Sequence, residues 1–531
     1  MNTKEQILAA IQATLNNGMA AKQLADTLPD EAPAPPPPPP TPTETVFQVK
    51  AGDNLQKALE AAAVDTSGKD VRIKVQPGAK FLGNLSEPVK SHNRMVYVEP
   101  DFDVQANLGS GRVDSARTDL PIVSPTNTSL GTLTSVRSRG WSWQGIHFDK
   151  TGSGRGIVEL GDASAVAVSE VAQQHSFKQC RMHGDPVAFQ KRGIIANCGA
   201  LVVEGCDMRN IGYPGADGQC ILGYNGPGPF SIVGNYLEGA GENVMFGGGR
   251  VMAASMVPSD ILIRGNHLPK NSAWLQLATK PLVKNNLELK DAQRVLIEGN
   301  LFEYNWTQGQ EGGAILFKAA ANGEPQAWVR CHHVVFRYNV VRRAGGFLSI
   351  NNSEGVGPTL GCQDIVIEHN VAYDLGVSTW SGNGHGFRIG GGPDGVQLLH
   401  NTLINKHTFV YSWNDPAVDY ISGFKAIGNL AREADYGLYG TNVGGQGQKW
   451  LDSYAPGYVF TANAFEDNAS SAVYPAGHTK LPNGLLTSGG LDAHFKPVDA
   501  KIMAVKDADG VMVGADVSKI LALFSQYGIA W

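Results

Sequence analysis

The sequence predicts an all-β solenoid, a parallel β-helix of at least ten coils. Three observations carry this: an unusual composition, a long tract of short β-branched runs, and one unit recurring about every 30 residues. The chain has 531 residues with 64 Gly, 17% charged and 42% hydrophobic residues, and a net charge of -6. An average soluble domain carries about 25% charged residues and about 7% Gly, so helical bundles and coiled coils are disfavoured. A nucleic-acid binder would show a basic balance or stripe, and here Lys and Arg are scattered singly. No window reaches the roughly 18 consecutive apolar residues of a membrane span, so membrane insertion is not expected.

The first element is helical. Ile7, Leu8, Ile11 and Leu15 fall at helical spacing and Asn16-Asn17-Gly18 stops them, with a second short helix expected over Met19 to Leu28. Lys4, Glu5, Lys22 and Asp26 interrupt any signal-peptide core, so no signal peptide is expected. Residues 32-45, APAPPPPPPTPTET, form a polyproline II spacer that cannot join a packed core. Residues 1-31 thus read as an anchor or oligomerisation segment held away from the main body. A third helix follows, with Asp53 or Asn54 as N-cap ahead of Leu55, Ala58, Leu59 and Ala62, covering one end of the solenoid.

From Val71 onward the chain is short strands separated by Gly, Asn and polar loops. An apolar-x-x-x-Asn-x-apolar pattern recurs at Asn235, Asn266, Asn300, Asn339, Asn370, Asn401, Asn429 and Asn463, and Cys180 and Cys206 take the Asn place upstream. Within a unit, Val295 to Glu298 precedes the Asn corner, Leu301 to Tyr304 follows it, and Ala314 to Phe317 closes the coil. Three short strands without an intervening helix describe one coil of a parallel β-helix. The expectation for the Asn is twofold: it tolerates the left-handed backbone of a tight corner, and its amide bonds the Asn of neighbouring coils in a ladder. The β-helix spans 46-515, and 516-531 is a last helix, with Asp516 as N-cap, that seals the far end or docks elsewhere. Cys180, Cys198, Cys206, Cys220, Cys331 and Cys362 have no CxxC spacing and read as buried free thiols.

The coil grammar, the Asn ladder and the opening AGDNLQKAL…VRIKVQPGAKFLGNL resemble the right-handed parallel β-helix proteins of the pectate-lyase-like superfamily. LELKDAQRVLIEGNLFEYNWTQGQEGGAILF, WLDSYAPGYVFTANAF and AVYPAGH are similar to a group of bacterial β-helix proteins of unassigned activity. The resemblance covers roughly residues 46 to 515 and implies, with the general rule for parallel connections, a right-handed coil. It spans lyases, hydrolases, isomerases and bacteriophage tailspikes, so activity must be argued from the site.

Uronate lyases of that superfamily use a carboxylate-bound Ca²⁺, and no DxD or DD cluster lies on a strand here; Asp507-Ala508-Asp509-Gly510 reads as a surface turn. No metal or cofactor is expected. Gly384-His385-Gly386 with Phe387-Arg388-Ile389 lacks the paired Asp elements of polygalacturonase-like hydrolases, and strand alternation would put His385 and Arg388 on opposite faces. The remaining candidates lie on stacked loops: Asn351, Asn352 and Glu354, then Asp394, then Trp413, Asn414 and Asp415, then Asn442 and Gln446, with Trp306, Gln308, Gln310 and Glu311, then Trp380, Asn383 and His385 before the third strand. Coils stand about 4.8 Å apart, so such residues can line one groove. Trp306, Gln310, Trp380, His385 and Trp413 are the candidate glycan contacts; Glu311, Glu354, Asp394 and Asp415 are the candidate carboxylates for two-carboxylate glycosidase chemistry, which needs a pair about 5 to 9.5 Å apart.

The expected function is a virion-attached, tailspike-like spike or fibre, assembled in the host cytoplasm, whose residues 1-28 bind another virion subunit and whose coils contact host surface polysaccharide. Resemblance to tailspikes implies a homo-oligomer, although no C-terminal trimerisation domain is recognisable after Ala515. The alternatives are a polysaccharide-degrading enzyme, hydrolase or lyase, and a structural capsid or tail decoration protein.

Overall fold

The structure is a computed structural model that describes residues 44-151, 155-185, 189-322, 326-355, 357-443, 445-468 and 472-531. The expected helices over residues 1-31 and nearly all of the proline spacer lie outside the described residues. The chain forms two compact units, one running to Asn266 and taking in Ala273–Pro281, the other comprising His267–Ser272 and Leu282–Trp531.

The first unit is a stack of three-stranded coils. Thr45–Val49 pairs in parallel with Val71–Val75, which pairs with Val96–Pro100, and the same face continues through Arg139–Gln144, Gln173–Lys178, Gly199–Glu204, Phe230–Val233 and Ser259–Arg264. A second face carries His147–Asp149, Arg181–His183, Asp207–Ile211 and Tyr236–Gly239, and a third carries Gly156–Gly161, Arg192–Asn197, Gln219–Gly223 and Glu242–Phe246. Helix Leu55–Ala63 buries Leu55, Leu59, Ala62 and Ala63 beside the first two strands. Of the two expected caps Asn54 is the one used: its Oδ1 accepts from the Lys57 amide at 3.2 Å.

The second unit repeats the plan. Its first face runs Ala292–Glu298, Cys331–Arg337, Cys362–Glu368, Asp394–Leu399, Lys425–Ile427, Val459–Thr461. Its second runs Leu301–Glu303, Val340–Ala344, Val371–Leu375, Thr402–Leu403, Leu430–Arg432, Ala464–Glu466. Its third runs Leu287–Leu289, Gly313–Ala321, Gly346–Gly355, Phe387–Gly390, Thr408–Ser412, Gly437–Gly440. Strands that pair in parallel with the equivalent strand one coil away, on three faces, make a parallel β-helix, right-handed as parallel connections are. Inside, Phe347, Phe387, Phe409 and Phe465 form a ring column at centroid separations of 5.3, 5.4 and 4.8 Å.

The corner residues form the expected ladder. Asn339 Nδ2 donates to Asn370 Oδ1 at 3.1 Å, Asn370 to Asn401 at 3.0 Å, Asn401 to Asn429 at 3.0 Å and Asn429 to Asn463 at 2.9 Å. Cys206 continues it in the first unit, its amide donating to Asn235 Oδ1 at 2.8 Å. All six thiols are free and buried. The backbone role differs from expectation: the left-handed residue is the one before the Asn. Gly234, Gly265, Gly299, Tyr338, His369, His400, Gly428 and Ala462 have φ between 50° and 67°. The Asn side chain points into the coil at 0% exposure, so the turn and the ladder are the work of two consecutive residues.

The last helix, Val517–Gln526, is capped by Asp516 at the Lys519 amide. It docks rather than seals: Val517, Ile520 and Phe524 pack on Leu301, Val340 and Val371, the flank of the second face. The Asp507 turn is held by His400 Nε2 at 3.1 Å.

Candidate functional site

The outward positions of the third face in the second unit build the site. Leu316, Ser349, Arg388, Tyr411 and Tyr439 stand in register on successive strands. Their neighbours Ile315, Leu348, Phe387, Val410 and Leu438 point into the core, as period-two alternation requires. The result is a row in which Arg388, Tyr411 and Tyr439 bring a cation and two rings side by side on successive coils.

The rings touch one another. His385 stacks on Tyr411 with centroids 4.8 Å apart and planes 11° from parallel, and lies 4.7 Å from His407. Tyr411 stacks with Tyr439 at 6.2 Å and with Trp413 at 6.2 Å, and Tyr436 stacks on Tyr439 at 4.8 Å. The Arg388 guanidinium lies 5.1 Å from the Trp413 centroid and 5.9 Å from that of Tyr411. Gly390 makes the Trp413 position available, because a Cβ there would lie 2.3 Å from the indole.

Beside this row is a small cleft of ≈ 20 Å³, room for about one water, lined by Glu311, Ser349, Asn383, His385 and Arg388 over a floor of Gly313, Gly345 and Gly346. Glu311, on the loop before Gly313–Ala321, forms an ion pair with Arg388. His385 Nδ1 and Thr408 Oγ1 share a hydrogen bond of 2.6 Å. Burial, with the nearby His407 charge, pushes His385 down to about 4, so the ring is neutral at pH 7. Burial likewise disfavours the Arg388 charge.

The structure gathers Glu311, Asn383 and His385 into this cleft and joins Trp413 to it through Arg388. The other sequence candidates lie apart from it. Glu354, at the far end of Gly346–Gly355, pairs with Lys318 at 2.9 Å. Asp394 begins a first-face strand and bonds Ser422. Asp415 closes a turn, accepting from the Ala417 amide at 3.0 Å. Trp306 is 4% exposed with Nε1 donating to Gln308, and Trp380 is 9% exposed, edge-on to Tyr304, so both rings serve packing. The half-buried Gln310 offers its carbonyl to the Gln308 amide.

Arg388, Tyr411, Tyr436, Tyr439 and His407 were not among the sequence candidates. Alternation in Tyr411-Ser412-Trp413, set in register with Arg388, is the signal that identifies the row. His385 and Arg388 do not point to opposite faces, contrary to expectation, because the strand begins at Phe387. His385 precedes it, where alternation no longer fixes direction, and both side chains reach Tyr411. Among the described residues no group of three or more His, Cys, Asp or Glu could hold a metal ion, and no helix is long and apolar enough to cross a membrane.

No protein-family model and no curated protein matches the chain. Solved structures do. The surface adhesin PfbA of Streptococcus pneumoniae is 12% identical with a TM-score of 0.47, covering 76% of this chain and 94% of its own. A mannuronic acid specific polysaccharide family 6 lyase from human gut microbiota is 11% identical with a TM-score of 0.47, covering 91% and 98%. A tailspike protein of bacteriophage CBA120 is 11% identical with a TM-score of 0.38, covering 87% and 67%. The parallel β-helix assignment rests on the strand registers themselves.

Proposed function

We propose that this chain is a tailspike-like or fibre protein that contacts host surface polysaccharide through the third face of its second unit. The observation that carries the reading is the outward row of Arg388, Tyr411, Trp413 and Tyr439 on consecutive coils. Ring faces cover the apolar faces of sugars, while Arg388, Ser349 and Asn383 supply hydrogen bonds at the edge, the usual division of labour in a ligand site. Contact is favoured over cleavage. Glu311, the one carboxylate among the cleft-lining residues, is held in an ion pair by Arg388, which keeps it a charged salt-bridge partner rather than the free acid or nucleophile that two-carboxylate hydrolysis uses.

Attachment to a virion is part of the proposal and is assigned to residues 1-28. The test has two arms. Titration of purified host-surface polysaccharide against the full chain, followed by calorimetry, should show binding that Tyr411→Ala and Trp413→Ala each weaken by about tenfold or more, as loss of an aromatic hot spot does. Incubation with the same polysaccharide should release neither reducing ends nor unsaturated uronates; release of either makes the chain a depolymerase. Absence of binding, or binding indifferent to both rings, overturns the reading.

A further inference from the structure

The cleft carries a charge arrangement that specifies its ligand further. Arg388 is the one cation and Glu311 the one carboxylate among the described lining residues, and they are paired across 77 residues of sequence. Glu311 is the more exposed partner, with 65% of its side chain open against 26% for Arg388. It engages Nη1 only; Arg388 Nε is buried and has no acceptor among the described residues. A guanidinium is a planar fork that matches a carboxylate through two parallel bonds, so this one is half used. The guanidinium carbon lies over the rings of Trp413 and Tyr411, at 5.1 and 5.9 Å from their centroids. The space beside it is open by design of the backbone: a Cβ on Gly313 would meet nothing closer than Ser349 Oγ at 3.7 Å, and one on Gly346 nothing closer than 3.5 Å.

From this we infer that the cleft takes an acidic saccharide, whose carboxylate displaces Glu311 and engages Arg388, and that Glu311 is a built-in competitor for that position. The inference rests on the glycan-contact reading and names the ligand class of the same site. The Glu311 side chain is exposed, so its ion pair is the kind that solvent screens and a ligand exchanges readily. In the free protein it screens a cation that burial already disfavours. In the complex the released Glu311 carboxylate returns to water. A neutral saccharide makes the same ring contacts and gains from Arg388 only an ordinary hydrogen bond, without the charge-assisted pair.

The test compares a uronate hexasaccharide with its carboxyl-reduced, neutral counterpart, using full-length wild type, Glu311→Gln and Arg388→Met. Removing the competitor should tighten uronate binding by about tenfold, and removing the fork should weaken it by about tenfold or more, as for a charge-assisted bond. The neutral oligosaccharide should bind wild type and Glu311→Gln alike, and should lose less than the uronate does on Arg388→Met. Glu311→Gln changes an exposed side chain and leaves the fold intact, so it keeps the test sound should Arg388→Met disturb packing. If both sugars bind all three proteins equally, the acidic class is overturned while glycan contact stands. If Glu311→Gln weakens uronate binding, Glu311 is a ligand-binding group and the competitor role is overturned. If neither sugar binds any of the proteins, both readings fall together.

Discussion

Asn370 illustrates how much one residue carries in a coil. Its Oδ1 accepts from the amide and from Nδ2 of Asn339, while its own Nδ2 donates to the Phe336 carbonyl at 2.9 Å and to Asn401. Asn370→Ala leaves the buried Asn339 amide without its acceptor and costs Asn339 Nδ2 one of its two bonds, the other being to the Ile297 carbonyl, and each such loss costs about 1–3 kcal/mol. A fall of roughly 2–4 kcal/mol in denaturant-unfolding free energy is expected. Acid sensitivity is also set at single residues. His147, His369, His385 and His478 are all pushed to about 4 by burial. In the unfolded chain such rings titrate near 6.5, so between about pH 6.5 and 4 the unfolded state binds more protons and stability rises with pH. Acidification through that window should destabilise the protein, by up to ~3 kcal/mol for His385 alone. Unfolding midpoints measured from pH 7 to 4 should show a shallower decline in His385→Gln. An equal slope in the two proteins would show that His385 is not neutralised by the fold.

At the scale of elements, the strands and the helices Leu55–Ala63 and Val517–Gln526 are legible because their signals are local: two-residue alternation, β-branched runs, and Asn54 or Asp516 just ahead of an apolar stripe. Where the last helix goes is not a local property. The stripe of Val517, Ile520 and Phe524 says that one face is buried, and only the coil stack supplies Leu301, Val340 and Val371 as the surface that buries it. Phe524→Ala should therefore destabilise by about 3 kcal/mol, the usual range for a buried Phe. Protease should then cut first in the C-terminal segment. Gly299→Ala tests the same contact from the other side: φ is +64° there, and a Cβ would stand 3.1 Å from Leu523. It should loosen the helix although the residue itself lies in the ladder corner.

The candidate site is legible only in part for a related reason. Glu311, His385 and Trp413 were accessible as loop polar and aromatic residues near the third strand. Arg388 escapes the sequence pattern because the strand that carries it begins at Phe387, two residues after His385. Tyr411 and Tyr439 look like ordinary strand residues until the register aligns them with Arg388. Convergence of side chains from coils tens of residues apart depends on loop lengths that vary from coil to coil, and no local pattern encodes it.

For the whole molecule, the low charge and abundant glycine fit a stack in which most residues face a strand above and another below. The described coils begin at Thr45 with a paired strand. A chain starting at Glu44 is expected to retain the β-sheet circular dichroism and the proposed saccharide binding, and to lose the proposed attachment to a virion subunit. Loss of sheet structure on that truncation would mean that residues 1-43 belong to the folding unit. By itself the sequence determined the coil, its period, its ladder and its end helix, because each follows from hydrogen-bonding and hydrophobic demands repeated every 30 or so residues. The tertiary structure alone decided which outward side chains share a face, since that is set by register between coils. It is at this level that Arg388 meets both Glu311 and Trp413.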